Sequence, residues 1–298
     1  MSLVAAALVL LSAVLHVVWN IMGKRDSGNL LFVPLATLAG ASALLPFVFM
    51  ASGSLFSGPV ILLLCATGLF QALYISSLSL SYGHADISAS YPLIRGLPIL
   101  SVALISAAIM PSSPLPVLAW VGVVVMVLAS WFMAQKRDGH THLSGAALGY
   151  IALAVIGTTG YSLIDSEVME RITVDLDGGN WNQWIINGLA YASLQGLAAL
   201  VWLIVVYVIF YQRLPCQMGR LIARRDTWVG GGIMLGSYAL ILCSMPLVEN
   251  VSYIVALRQI SIPLSIFAGS ILLGEVQSVR RWLAGLGMLA GIIILSFS

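Results

Sequence analysis

The sequence predicts an all-α membrane protein of ten transmembrane helices, built as two inverted five-helix repeats with a polar site between them. Three observations carry this prediction. Hydrophobic residues make up 60% of the 298 positions and charged residues only 8%, against about 25% charged in a soluble domain. Ten mostly apolar runs, each of about 18 residues or more, follow one another through mostly short connections. Displacing the sequence by 163 positions lays Arg95 on Arg258, Asp86 on Glu249, Ser81 on Ser244 and Gly122 on Gly285.

The runs fall at 3–22, 30–50, 59–82, 87–109, 115–135, 144–165, 183–211, 228–247, 251–273 and 280–297. Helices are expected throughout, because an unpaired backbone group in lipid is too costly and short connections join helices readily. The runs lack the strict alternation of outer-membrane strands. The first run has neither a basic start nor a small-residue cleavage site, so it is read as a span and not a signal peptide. The polar stretch around Lys136, Arg137 and His140 divides five spans from five. The repeats are therefore placed at 1–138 and 139–298, as one transport domain. An odd number of spans per repeat inverts the second relative to the first, an arrangement that puts a site at the repeat interface near the midplane.

Loop charge sets the expected sidedness. Lys24, Arg25, Lys136, Arg137, Arg213, Arg220, Arg224, Arg225, Arg280 and Arg281 all fall on one side, and Arg171 lies alone among acids on the other. The positive-inside rule puts the ten in the cytoplasm and both termini outside. An integral inner-membrane location follows. A formal net charge of +2 points away from nucleic acid. The lipid bilayer and a small molecule are the expected partners.

Taken in chain order, the polar residues inside the spans form stripes. In the first span Ser12, His16, Trp19 and Asn20 share a helical face. Trp19 and Asn20 are read as lining a site, and His16 equally as packing glue. The third span carries Gln71, Tyr74, Ser77 and Ser81. In the fourth, Tyr91 precedes Arg95 by one turn, and Pro92, Gly96 and Pro98 surround that arginine. Proline removes a backbone donor and frees a carbonyl one turn back. A kink and a hinge are expected there, and the freed carbonyls are an alternative, structural partner for Arg95. The sixth span has Thr158, Tyr161, Ser162 and Asp165, the last at the very end of its apolar run. The seventh has Asn187, Tyr191 and Gln195 at four-residue spacing, facing either the site or a partner helix. The eighth has Ser237, Tyr238 and Ser244. The ninth has Tyr253, Arg258 and Gln259, with Pro263 as a further hinge. Glycines 285, 287 and 291 in the tenth are read as permitting close helix packing or a dimer contact, so a monomer or homodimer is expected.

Arg95 and Arg258 organise this pattern. Each lies seven or eight residues into its apolar run, about 10–12 Å deep at 1.5 Å per helical residue. An arginine there costs from about 3 to more than 10 kcal/mol unless something polar meets it. No acid is placed at mid-depth to pair with either. A carboxylate or phosphate suits the guanidinium fork, and the tyrosines and Trp19 suit an apolar side chain. The substrate-binding set is therefore Trp19, Asn20, Tyr74, Tyr91, Arg95, Tyr161, Tyr238, Tyr253 and Arg258. No phosphate-cradling glycine loop, zinc-protease motif or acid cluster is present, so neither an enzyme nor a cofactor or metal is expected.

These features resemble the drug/metabolite transporter superfamily, and within it the EamA-type exporters of ten helices. The resemblance rests on the two five-span repeats, Trp19 followed by Lys24, the Ala89-Ser90-Tyr91-Pro92-Leu93 stretch, Gly274-Glu275 ending the ninth span, and the glycine-spaced tenth span. It is strongest with the YddG branch of amino-acid exporters. It implies a central cavity lined by spans 1, 3, 4, 6, 8 and 9, alternating access, and export of small metabolites such as amino acids. Small relatives that export cations carry a glutamate in the first span. His16, Trp19 and Asn20 stand there instead, which argues against proton-for-cation antiport. Many EamA-type proteins keep their termini inside, where this charge pattern puts them outside. Exchange of organophosphates or nucleotide sugars is the second transport reading. A non-transporting sensor or assembly subunit is a third, disfavoured because nothing outside the spans is large enough for a signalling domain.

Overall fold

The structure is a computed structural model, and it describes residues 2–23, 32–82, 84–85, 87–109, 114–135, 143–174, 181–211, 224–272 and 277–298. The expectations that rest on Asp86, on the boundary at 138, on most of the basic loop residues and on Gly274-Glu275 lie outside the described residues.

Every described element is helical. The α-helices are α1 (Leu3–Gly23), α2 (Phe32–Val48), α3 (Gly58–Tyr82), α4 (Ile87–Ile109), α5 (Val117–Ala134), α6 (Gly145–Val174), α7 (Trp181–Tyr211), α8 (Arg225–Ser244), α9 (Val251–Leu257), α10 (Ser261–Leu272) and α11 (Val279–Ser296). Short 3-10 turns occupy Gly53–Phe56, Met245–Leu247 and Arg258–Ile260. Among the described residues eight helical spans are long and apolar enough to cross a membrane, and two shorter apolar helices, Leu3–Trp19 and Pro34–Val48, lie where the first two spans are expected. The chain is a helical, multi-pass membrane protein.

Burial is distributed as a bilayer requires. Large apolar side chains face outward, among them Leu62, Val117, Leu128, Ile209 and Leu286. Polar ones such as Thr67, Asp165, Asn187 and Gln195 are fully buried. With lipid as solvent the outer face has no reason to be polar, and each interior polar group must find a partner inside the protein.

Helix α3 packs on α6 and α7, and α8 packs on α1 and α2. α2 also meets α7, α5 meets α11, and α4 meets α5 and α6. Helix α1 runs along α10 and the turn that precedes it. Two close approaches depend on glycine. A Cβ at Gly157 of α6 would lie 2.7 Å from the Tyr74 backbone nitrogen and 2.8 Å from the Phe70 carbonyl oxygen. A Cβ at Gly122 of α5 would lie 2.7 Å from the Gly291 carbonyl oxygen of α11. Gly291 therefore serves an internal contact, and the expected close packing of the last span is met within one chain.

The two termini share one end of the molecule, where Ser2, Pro114, Glu249 and Ser298 line a common pocket. Arg225 and Arg280 begin α8 and α11 at the opposite end. There Arg280 Nε donates to the Phe132 carbonyl at 2.8 Å, and its Nη2 to Gln135.

The expected hinge residues fall in two different settings. Helix α4 runs without a break from Ile87 to Ile109 with Pro92 and Pro98 inside it. Each proline removes one backbone bond, and the neighbouring bonds carry the helix past it. Gly96 is a packing position: a Cβ there would collide with Ser130 of α5. The ninth span stays helical but tightens into a 3-10 turn at Arg258–Ile260, just before Pro263 in the first turn of α10.

Candidate functional site

The site begins at that turn. Because α9 ends at Leu257, Arg258 sits on a 3-10 turn and not on a helix face. The Ser261 hydroxyl donates to the Arg258 carbonyl at 2.9 Å, meeting one of the acceptors that the helix end leaves over. The same hydroxyl oxygen accepts from Arg95 Nη2 at 3.2 Å. One serine thus joins the two arginines, from α4 and from the ninth span.

Arg95 is 6% exposed, and its Nε has no hydrogen-bond partner among the described residues. The expected structural alternative, carbonyls freed by proline in its own helix, is not the contact formed, since Arg95 reaches across to Ser261. Its guanidinium interacts electrostatically with the hydroxyls of Tyr91, Tyr74 and Tyr161. Arg258 faces two aromatic rings, with its guanidinium carbon 6.0 Å from the Tyr161 centroid and 5.4 Å from that of Tyr238. Both distances lie within cation–π range. Tyr161 packs edge-on against both Tyr74 and Tyr238, each with ring centroids 6.0 Å apart. Tyr74, Tyr161 and Tyr238 therefore form one aromatic cluster from α3, α6 and α8, with an arginine toward either end.

Helix α1 closes another side. The Trp19 indole donates to His16 Nδ1 at 3.0 Å, with the rings edge-to-face at 5.6 Å. His16 lies within electrostatic reach of both arginines. Asn20 belongs to α1, but its side chain lies outside the described set.

Asp165 is the residue that sequence reasoning missed. The sequence analysis leaves no acid at mid-depth, because Asp165 ends an apolar run and Glu167, Glu170 and Arg171 follow. In the structure α6 continues to Val174, and Asp165 is fully buried within electrostatic reach of Arg258. Its Oδ1 accepts from Thr67 at 2.6 Å and from Tyr191 at 2.7 Å. Its Oδ2 accepts from Gln195 at 2.9 Å and from the Tyr238 hydroxyl. Four donors on a buried carboxylate offset much of its desolvation cost. The α7 stripe thus faces inward, with Tyr191 and Gln195 on Asp165 and Asn187 Nδ2 donating to the Ile172 carbonyl at 3.1 Å. The available signal was the polar stripes of spans 6, 7 and 8, which carry Asp165, Tyr191, Gln195 and Tyr238.

Tyr253 is not part of this cluster. It lines the pocket at the end that carries the termini, beside Glu249 and Asn250, with its hydroxyl 3.3 Å from Ser298 Oγ. Of the expected set, Trp19 (through His16), Tyr74, Tyr91, Arg95, Tyr161, Tyr238 and Arg258 come together. Three further polar groups in this part of the bundle, Gln71 Oε1, Thr158 Oγ1 and Ser162 Oγ, also lack hydrogen-bond partners among the described residues.

No family model matches the chain, and no curated protein matches it. Solved structures do match. One, described only as "Crystal structure of protein", superposes with a TM-score of 0.68 over 98% of this chain and 96% of its own, at 12% identity. At that identity the likeness establishes a shared fold and nothing more.

Proposed function

We propose that this chain is a transporter that moves small carboxylate-bearing metabolites, amino acids among them, across the membrane by alternating access. The observation that carries the reading is the pairing of Arg95 and Arg258 on one tyrosine cluster. Arg95 Nε has no hydrogen-bond partner among the described residues, and the Arg258 guanidinium lies over two ring faces, within electrostatic reach of Asp165 and His16. Donors left unused in a membrane interior are costly unless a ligand takes them in the working cycle. An arginine fork suits a carboxylate.

The packing pattern supports an inverted repeat. Exchanging each helix of the first half for its counterpart in the second turns the α3–α6 contact into α8–α1, and α3–α7 into α8–α2. It leaves α2–α7 and α5–α11 as they are. The 3-10 turn at Arg258–Ile260 is a local irregularity of the kind that marks functional hinges. Export as the direction is what the family resemblance implies, and an inner-membrane location with basic ends cytoplasmic follows from loop charge.

The test is ligand-induced thermal stabilisation of the purified protein by amino acids, other carboxylates, sugar phosphates and nucleotides. Flux of every stabilising compound into proteoliposomes follows. Stabilisation together with flux for carboxylates bears the reading out; flux of none of these compounds overturns it.

A further inference from the structure

The charge count of the buried site narrows the substrate class. Arg95 and Arg258 bring two positive charges to it. Asp165 brings one negative charge. Its four hydrogen bonds have the pattern of an ionised carboxylate: each oxygen accepts two, and Thr67, Tyr191, Gln195 and Tyr238 are all placed as donors.

The other ionisable groups around the arginines are one histidine and five tyrosines, and tyrosine is ordinarily neutral at pH 7. They are His16 from α1, Tyr74 from α3, Tyr91 from α4, Tyr161 from α6, Tyr191 from α7 and Tyr238 from α8. The indole N–H can only donate, so His16 Nδ1 carries no proton where Trp19 bonds it. One positive charge is left over, in a region where charge is weakly screened.

A zwitterion adds no net charge and leaves that excess in place. Its ammonium group would also stand among two guanidinium groups with no carboxylate to meet it, because both oxygens of Asp165 are taken. The ring faces of the buried Tyr161 and Tyr238 could attract an ammonium, but Arg258 already lies over them. A singly negative carboxylate neutralises the site. We propose that the site selects small organic monoanions without a cationic group over zwitterions of the same carbon skeleton. This rests on the transport reading above and narrows it.

The experiment compares matched pairs on the purified wild-type protein in proteoliposomes: leucine against 4-methyl-2-oxopentanoate, and phenylalanine against phenylpyruvate. Half-maximal flux and thermal stabilisation are expected at concentrations lower by on the order of tenfold or more for the oxo acids. Butyrate against succinate, measured in wild type and in Asp165→Asn, tests the count itself. Wild type should favour the monoanion, and the variant, with one more positive charge, should shift toward the dianion. Equal or better handling of the amino acids, or a dianion preference in wild type, overturns the inference while leaving transport standing. Binding or flux of no compound in any pair overturns the transport reading, and this inference with it. If the variant does not fold, the wild-type pairs remain decisive.

Discussion

The hydroxyl of Tyr238 donates to Asp165 Oδ2 while the face of the same ring lies 5.4 Å from the guanidinium carbon of Arg258. One side chain therefore links the buried acid to the arginine on the ninth span. Tyr238→Phe keeps the ring and removes the donor. An under-bonded buried acceptor costs about 1–3 kcal/mol, so the variant should melt lower than wild type in the same detergent. An unchanged melting temperature would mean that the hydroxyl is not holding Asp165.

Close helix contacts make a graded prediction. At Gly157 an added methyl would meet backbone atoms of α3 at 2.7 and 2.8 Å, and backbone cannot turn away as a side chain can. At Gly285 the nearest atom, the Cδ1 of Ile266, is 3.4 Å away, which is ordinary contact. Gly157→Ala should sharply reduce the yield of monodisperse protein on size exclusion, and Gly285→Ala should leave it near wild type. Equal behaviour of the two would contradict the α3–α6 packing.

The helical membrane fold was legible in the sequence because lipid allows few alternatives: a long apolar run has to be a helix. Arg95, Tyr74, Tyr161 and Tyr238 were legible as a site for the same reason, since a polar side chain deep in such a run needs an explanation. Asp165 was not legible, because run length judges depth from the edge of hydrophobicity, and α6 continues past that edge into charged residues. Tyr253 was misplaced by the opposite error. It was placed in the site because it precedes Arg258 on the same span, whereas it stands in the first turn of α9, at the end of the molecule. Pro263 foreshadowed the irregularity beside Arg258, where a 3-10 turn precedes it, while the prolines expected to kink the fourth span lie inside a helix that runs from Ile87 to Ile109.

The 3-10 turn assigns different weights to the prolines. Pro263→Ala would return a backbone donor to the first turn of α10, within reach of the Gln259 carbonyl, and favour a regular α-helix through the ninth span. It should slow turnover in proteoliposomes several-fold with little change in ligand affinity. Pro92→Ala and Pro98→Ala, in an unbroken α4, should slow it less. The reverse ranking would place the moving element in α4.

Sidedness is open to chemical labelling. Single cysteines at position 2 and at position 216 in a cysteine-free background, probed on intact cells with a membrane-impermeant thiol reagent, should label at position 2 only. Labelling at position 216 alone would invert the protein in the membrane.

The central claim, that Arg95 and Arg258 together hold the anionic group of a substrate, is tested most directly by ligand affinity in Arg95→Gln, Arg258→Gln and the corresponding lysine variants, each measured beside its melting temperature. Both glutamine variants should lose affinity by at least about tenfold, and the lysine variants, which keep the charge but lose the planar fork, by less. Wild-type affinity in both glutamine variants, with lowered melting temperatures, would contradict the account and leave the two arginines as braces of the helix bundle.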